Sequence, residues 1–360
     1  MMRWEAAAIY DIAIIGLGPA GAMAAKLLDA HHSVVAIDKK SDEETSFRKP
    51  CGGLLAGDAQ KALSKVNLTL PKSVLVDPQI FAVKTTDLSQ NLTAFYQRFY
   101  INLDRHKFDL WLRSLIPDGV RIIDGSACVQ ILRKQAHFEI TYERGGIKET
   151  VSAKYIIGAD GSNSVVRQKL FSNRGIEQYL SIQEWFPEKS AAAVYSCIFD
   201  REITKSYCWT VSKDGQMVLG GAFPIKSGRR NFERLKEKLA ESGLPLSVPI
   251  KREACLVSIP KRPRDFFTGA DGAFLIGEAA GFISPSSLEG ISYALNSAFI
   301  LSEILNSGCA EPSRKYNKKA RSIKLTLMGK RLKSPFMYNP FLRKLVMKSG
   351  LKSIKIIEDV

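Results

Sequence analysis

The sequence predicts an α/β fold: a Rossmann-like domain, an α+β insert built on an antiparallel sheet, and a helical C-terminal cap. Three observations predict it. The apolar run Tyr10–Ile15 feeds a glycine-rich turn and an alanine-rich stretch, two more strand-like runs end in glycine–acid turns far downstream, and the residues between those turns alternate like strands. With 360 residues, 45% of them hydrophobic and 24% charged, the chain has the composition of a folded protein with a sizeable core, which excludes a collagen-like or largely disordered one.

The first element is a buried parallel strand over Tyr10–Ile15 that runs into Gly16-Leu17-Gly18-Pro19-Ala20-Gly21 and a helix to about Ala30. Gly16 suits the tight turn, Gly18 lets backbone approach a pyrophosphate, and Gly21 lets helix and strand pack closely. A second strand, Ser33–Ile37, ends in Asp38, placed where a ribose-binding carboxylate belongs. The stretch Ala6–Ala25 follows Arg3, but Asp11 and the glycines interrupt the apolar core that a signal peptide needs. Further along, Lys154-Tyr155-Ile156-Ile157-Gly158-Ala159-Asp160-Gly161-Ser162 is a strand entering a tight acidic turn, with a helix carrying Arg167 after it. The run Gly272–Gly281, with Gly277-Glu278 at its turn, repeats that arrangement. A loop over Ser284–Glu289 then enters a long helix to about Leu305, with Ser286 or Ser287 as its cap.

Between the second and third turns, Ala191–Asp200 and Tyr207–Val211 alternate like strands, Lys213–Gln216 forms a hairpin turn into Met217–Phe223, and Asn231–Ser242 is an amphipathic helix. Trp185, Tyr195, Tyr207, Trp209 and Phe223 are candidates to line an apolar substrate channel; aromatic residues on strands also serve as plain core. The last fifty residues hold 14 basic and 3 acidic residues, so +11 of the net charge of +16 lies there. Short amphipathic helices interrupted at Pro335 and Pro340 are expected, either on an anionic membrane surface or as a cover over the insert. No nucleic-acid module accompanies this charge, so no nucleic acid is expected as partner. Six cysteines without a C-x-x-C pair suit a reducing cytoplasm, and no metal site is expected.

In this order the motifs resemble FAD-dependent oxidoreductases of the p-hydroxybenzoate hydroxylase type. Within them, Lys49-Pro50-Cys51-Gly52-Gly53 is similar to the Pro-Cys-Gly-Gly motif of the geranylgeranyl reductase family. The resemblance covers nearly the whole chain and implies FAD as cofactor. It assigns Gly16, Gly18, Pro19, Ala20 and Gly21 to the pyrophosphate, with Asp38, Lys39, Pro50, Arg105, Val129, Asp160, Gly161, Gly277, Glu278, Gly281, Gly290 and Ile291 as further cofactor contacts. Arg105 is taken from its Arg-x-x-Phe-Asp segment, and Glu278 stands where the family usually has aspartate, which keeps the acceptor but shifts its reach. Cys51, Gly52 and Gly53 face the flavin ring in the family, with Cys51 open between proton donor, substrate contact and packing residue.

The implied boundaries are a discontinuous FAD domain over 1–78, 101–180 and 265–310, a substrate domain over 79–100 and 181–264, and a basic helical region over 311–360. The implied activity is reduction of carbon-carbon double bonds of an isoprenoid or polyprenyl lipid by hydride from flavin N5. Electrons come from a nicotinamide, a ferredoxin or a flavodoxin, and the location is cytoplasmic or on the cytoplasmic membrane face. The alternatives are a flavin-dependent monooxygenase acting on a small or aromatic substrate and a lipid-binding flavoprotein without turnover. The family's Tyr-x-Trp-x-Phe-Pro segment is matched only in its first half, at Tyr207-Cys208-Trp209, which leaves the substrate open.

Overall fold

The computed structural model describes residues 9–41, 49–188 and 193–355. The start of the strand expected from Ala191 lies partly outside these residues; the observed strand is Val194–Phe199.

An eight-stranded sheet forms the first layer. Its centre is parallel: Ile9–Ile15 lies between Val34–Ile37 and Ile147–Gly158, with Arg121–Ile123 beyond the former and Ala273–Leu275 beyond the latter. The central strands are buried on both faces, which is why Ile12 to Ile15 and Val34 to Ile37 read as unbroken apolar runs. Ala127–Arg133 and Phe138–Arg144 continue the sheet from Ile147–Gly158 as an antiparallel meander. The helix Pro19–Leu27 packs against the long helix Ile291–Asn306, so chain segments nearly three hundred residues apart share one core. Within this core Arg167, on the helix Val165–Leu170, is buried and donates to the carbonyls of Arg174, Asp265 and Ala279, which ties the second turn to the third.

The second sheet has nine strands. Lys251–Ser258, Gln178–Pro187, Gln216–Pro224, Cys208–Lys213 and Val194–Phe199 follow one another antiparallel. Asp214 and Gly215 make the expected hairpin turn, both with positive φ (47° and 75°), the geometry that matches the twist of paired strands. The sheet is not the purely antiparallel one expected from sequence: Val194–Phe199 runs parallel to Ile80–Asp87, which pairs antiparallel with Leu92–Asn102. The two halves of the sheet come from separate excursions of the chain, and no hairpin links the strands where they meet. The helix Gly228–Glu241 covers one face with Phe232, Leu235 and Leu239. The other face presents Tyr195, Tyr207 and Trp209.

Three helices, Pro312–Lys319, Arg321–Tyr338 and Pro340–Lys348, close the chain, and Ser353–Ile354 adds a short edge strand to Leu92–Asn102. Pro335 does not interrupt its helix. It lies on the exposed side, so water can take the Arg331 carbonyl that its missing N–H leaves free. The break falls at Asn339, whose side chain accepts from Phe341 N and Leu342 N while Pro340 starts the next helix. The last helix is pinned from inside. Arg343 donates Nε and Nη2 to Asp87 Oδ2 at 2.8 and 2.6 Å and Nη1 to the Met337 carbonyl, and its guanidinium lies over the Phe199 ring.

Asp87 is fully buried and Arg343 nearly so. Replacing Arg343 by alanine would leave the carboxylate buried without its partner and is expected to lower the unfolding free energy by about 3–5 kcal/mol in chemical denaturation. A loss below about 1 kcal/mol, the value of a surface ion pair, would contradict this placement.

Candidate active site and cofactor cradle

Parallel pairing aligns the strand ends. Ile15 stands opposite both Ile37 and Gly158, and Gly158 opposite Leu275, so the turns that follow these four strands gather at one edge of the sheet. That edge opens into a cavity of about 950 Å³, which reaches from the glycine turn to the C-terminal helices.

At the first end, Gly16 has a φ of 94° and its missing Cβ would stand 2.8 Å from the Ala159 carbonyl oxygen. A Cβ at Gly21 would overlap the Gly16 carbonyl, so the helix is held against the turn. Gly18 faces open space, with no atom within 4 Å of where a Cβ would be, and the helix Pro19–Leu27 starts there without an acidic residue in its first turn. Asp38 is buried, and its carboxylate accepts from Leu17 N and Lys40 N, bracing the glycine turn; burial pushes its pKa up against the pull of Lys40. Asp160 gives one oxygen to Val165 N and Val166 N, at the start of a helix, while its buried Oδ1 has no partner among the described residues.

In the middle lies the segment 49–53. Arg105 donates to Asp109 at 2.8 Å, and Asp109 also takes Lys40 at 3.2 Å. Burial works against the charge on Arg105, but Asp109 and the nearby Cys51 outweigh it and raise its pKa. Gly53 N donates to the Cys51 sulfur at 3.4 Å. Lys49 pairs with Glu278, whose other oxygen accepts from Ser258 N at 2.8 Å. Beneath Gly53, Lys213 is buried with its ammonium on Asn102 Oδ1 (2.5 Å) and the Leu103 carbonyl (2.8 Å); burial lowers its pKa to about 8. The helix Ile291–Asn306 points its N-terminus at this region through Gly290, Ile291 and Ala294, and its positive end favours negative charge. Glu289, and not Ser286 or Ser287, serves its first turn, accepting from Ser292 N and Oγ.

The far end is aromatic. Tyr195, Phe199, Tyr207 and Trp209 line it together with Tyr100, Cys197 and Met337. Tyr207 donates to the Ser287 carbonyl at 2.7 Å, and burial holds the Tyr195 and Tyr207 phenols well above their ordinary pKa. The Trp209 indole lies against Gly220, and its N–H has no partner among the described residues.

Of the residues singled out from sequence, Gly16, Gly18, Pro19, Ala20, Asp38, Lys39, Pro50, Cys51, Gly52, Gly53, Arg105, Asp160, Gly161, Glu278, Gly290, Ile291, Tyr195, Tyr207 and Trp209 line this cavity. Gly21, Gly277 and Gly281 shape the turns behind it, and of the strand around Val129 it is Ala127 and Cys128 that reach it. Two substrate candidates lie outside its lining: Phe223 is fully buried against Phe232 on the opposite face of the sheet, and Trp185 donates its indole N–H to Glu253. Strand periodicity groups residues by face without saying which face is the chamber. Sequence reading assigned no role to Lys49 beyond its motif, and none to Lys213 or Cys255, whose thiol is raised to about 11 by burial and reaches the Pro50 carbonyl. Their partners lie 110 or more residues away, so no local pattern points to them.

The open approach at Gly18, two helix N-termini and the half-buried cations Arg105 and Lys49 suit the phosphates of a dinucleotide with a flavin ring beside Cys51–Gly53, and the unpartnered Asp160 oxygen suits one of its hydroxyls. The fold and site thus define an FAD-dependent flavoprotein of the p-hydroxybenzoate hydroxylase type, and a family model described as FAD binding domain matches residues 123–239. The chain belongs to the CbrA family: it is 48% identical over 351 residues to Protein CbrA of Escherichia coli O9:H4 (strain HS), covering 97% of this chain and 96% of that protein. In fold it is similar to a geranylgeranyl bacteriochlorophyll reductase-like protein from Thermoplasma acidophilum, with a TM-score of 0.78 at 19% identity over 94% of this chain and 90% of that one. It is also similar to pqsL, a probable FAD-dependent monooxygenase from Pseudomonas aeruginosa, with a TM-score of 0.71 at 15% identity over 96% and 100% of the two chains.

Gly18→Asp would put a carboxylate into the open space where phosphate approaches. It is expected to leave the far-ultraviolet circular dichroism unchanged and to weaken FAD binding by roughly tenfold or more, measured by flavin fluorescence; unchanged affinity would contradict the assignment. Lys213 gives a pH signature. Between pH about 8 and its ordinary 10.5 the folded chain binds fewer protons at this site than the unfolded chain, so the site makes stability rise with pH across that window. The stability of the native protein relative to Lys213→Met is therefore expected to improve from neutral pH to the top of this window, and a difference flat in pH would refute the buried setting, in which desolvation outweighs the pull of Asp104 and Asp214.

Proposed function

We propose that the chain is an FAD-dependent oxidoreductase that reduces carbon-carbon double bonds of an isoprenoid or polyprenyl lipid. The observation that carries this reading is the single cavity that joins the cofactor cradle to an aromatic chamber roofed by the C-terminal helices. A chamber of Tyr195, Phe199, Tyr207, Trp209 and Met337 offers apolar surface to a chain-like substrate, while Arg98, Glu289 and Lys330 act on Tyr100 beside it. Bound FAD supplies the hydride chemistry, and the protein supplies position, charge and exclusion of water. Gly52 keeps a side chain out of the space beside Trp209, Gly53 has a φ of 61° and leaves no room for a Cβ against the Leu103 carbonyl, and the N-terminus of the helix Ile291–Asn306 favours the negative charge of a reduced ring. Cys51, near Arg105, is the thiol at the junction of cradle and chamber and is the candidate to hand over the proton that completes the addition. The similarity in fold to a reductase-like protein supports this reading, and the similarity to a probable monooxygenase keeps oxygen insertion as the competing chemistry. On the proposed reading the partners are the lipid, the bilayer that contains it and an external donor, either a nicotinamide, a ferredoxin or a flavodoxin.

The test is anaerobic. The holoprotein is reduced with dithionite, mixed with isoprenoid and polar lipids, and followed by flavin absorption with mass spectrometry of the lipids. Reoxidation coupled to the gain of two hydrogens by a prenyl species is expected. Reoxidation only on admitting oxygen, with the gain of one oxygen atom, would replace the reading by a monooxygenase, and bound lipid left unchanged would replace it by a carrier. Cys51→Ala is expected to slow the lipid-dependent step with little effect on FAD binding; unchanged turnover would assign Cys51 to packing.

A further inference from the structure

We propose that the exposed faces of the helices Arg321–Tyr338 and Pro340–Lys348 form a docking surface for an anionic lipid bilayer, placed at the mouth of the substrate chamber. The inference builds on the lipid reading above but rests on its own observations.

Helical spacing puts Leu325, Met328, Leu332 and Phe336 on one stripe of the first helix, and all four are exposed, Leu332 at 77%. The opposite side of that helix carries the buried Ile323 and Leu327 that anchor it to the protein. Exposure of this stripe is therefore not a failure to pack, because the helix has an inward face already. On the second helix Phe341, at 67%, and Leu345 stand one turn apart and exposed, while Arg343 and Met347 point inward. Lys324 and Arg331 flank the stripe on one side and Lys333 on the other. From Pro312 to Lys355 the chain holds 14 lysines and arginines and no aspartate or glutamate. A second copy presenting the same charge would be repelled, whereas an anionic leaflet is complementary to it. Among the described residues no helix is long and apolar enough to cross a membrane, so this contact is with the bilayer surface.

Phe336 joins the two features. It lies on the exposed stripe and also lines the cavity, as do Met337 and Val346 beside it, so the chamber reaches the surface where the apolar stripe would enter the lipid. A chain-like substrate could then pass from acyl interior to chamber without crossing water.

The test is co-sedimentation of the full holoprotein with vesicles of phosphatidylcholine, with and without phosphatidylglycerol, compared with two exposed double variants, Leu332→Ser with Phe341→Ser and Arg331→Gln with Lys333→Gln. Binding to the phosphatidylglycerol vesicles is expected, with a loss of roughly tenfold or more in either double variant at unchanged circular dichroism. Absence of binding, equal binding to both vesicle types, or binding unaffected by the variants would overturn the proposal. Dimerisation in sedimentation velocity through the same residues would assign the face to a second copy and overturn it too. None of these readouts requires turnover, so failure here and failure of the reductase reading are separable.

Discussion

At Gly16 and Gly21 the first strand, the first helix and the turn after Gly158 approach so closely that a Cβ at either position would collide with backbone. This crossing sets the register of the whole cofactor end. It fixes Ile15 beside Gly158 and Ile37, and with them the positions of Asp160 and Asp38; the pairing of Ala273–Leu275 with the same strand then brings in Glu278. Four turns far apart in sequence become neighbours because parallel strands of matched length end together. Arg167 secures the result from behind by binding carbonyls from both later turns.

The aromatic end depends on different forces. Its floor is one face of the second sheet and its roof is the pair of C-terminal helices, fixed by the buried Arg343–Asp87 pair, by Tyr338 on the Ser286 carbonyl and by the edge strand Ser353–Ile354. A charge pair without water is an unusual way to hold a roof, since desolvation offsets much of its attraction. It does, however, select one docking position for a helix whose outer face is apolar and would otherwise have several ways to pack. The basic residues of the tail thus divide into Arg343, which turns inward as a structural pin, Lys330, which lies over Tyr293 and lines the cavity, and the many that face solvent.

Much of the cofactor end is legible in the sequence because its signals are local. A strand, a glycine turn and a helix follow one another within twenty residues, and the two later turns each carry their own acid. The hairpin at Asp214-Gly215 and the amphipathic helix with Phe232, Leu235 and Leu239 are local too. What is not legible comes from pairings across the fold. Glu278 is held by Lys49 and Ser258 N, Lys213 is buried beneath Gly53, and Phe223 turns away from the chamber that Trp209, on the adjacent strand, faces. Pro335 stays within a helix because its missing donor falls on the exposed side, which depends on how the helix docks rather than on its sequence.

The central claim is that one cavity holds the flavin at one end and an apolar chain at the other, in contact. The most direct measurement is a titration of the oxidised holoprotein with a long-chain prenyl alcohol while the flavin absorption spectrum is recorded. Contact predicts a saturable spectral shift that is lost when Trp209 is replaced by arginine, since that change puts a charge into the aromatic chamber. A flavin spectrum indifferent to saturating prenyl alcohol, or a shift that persists in Trp209→Arg, would contradict the account.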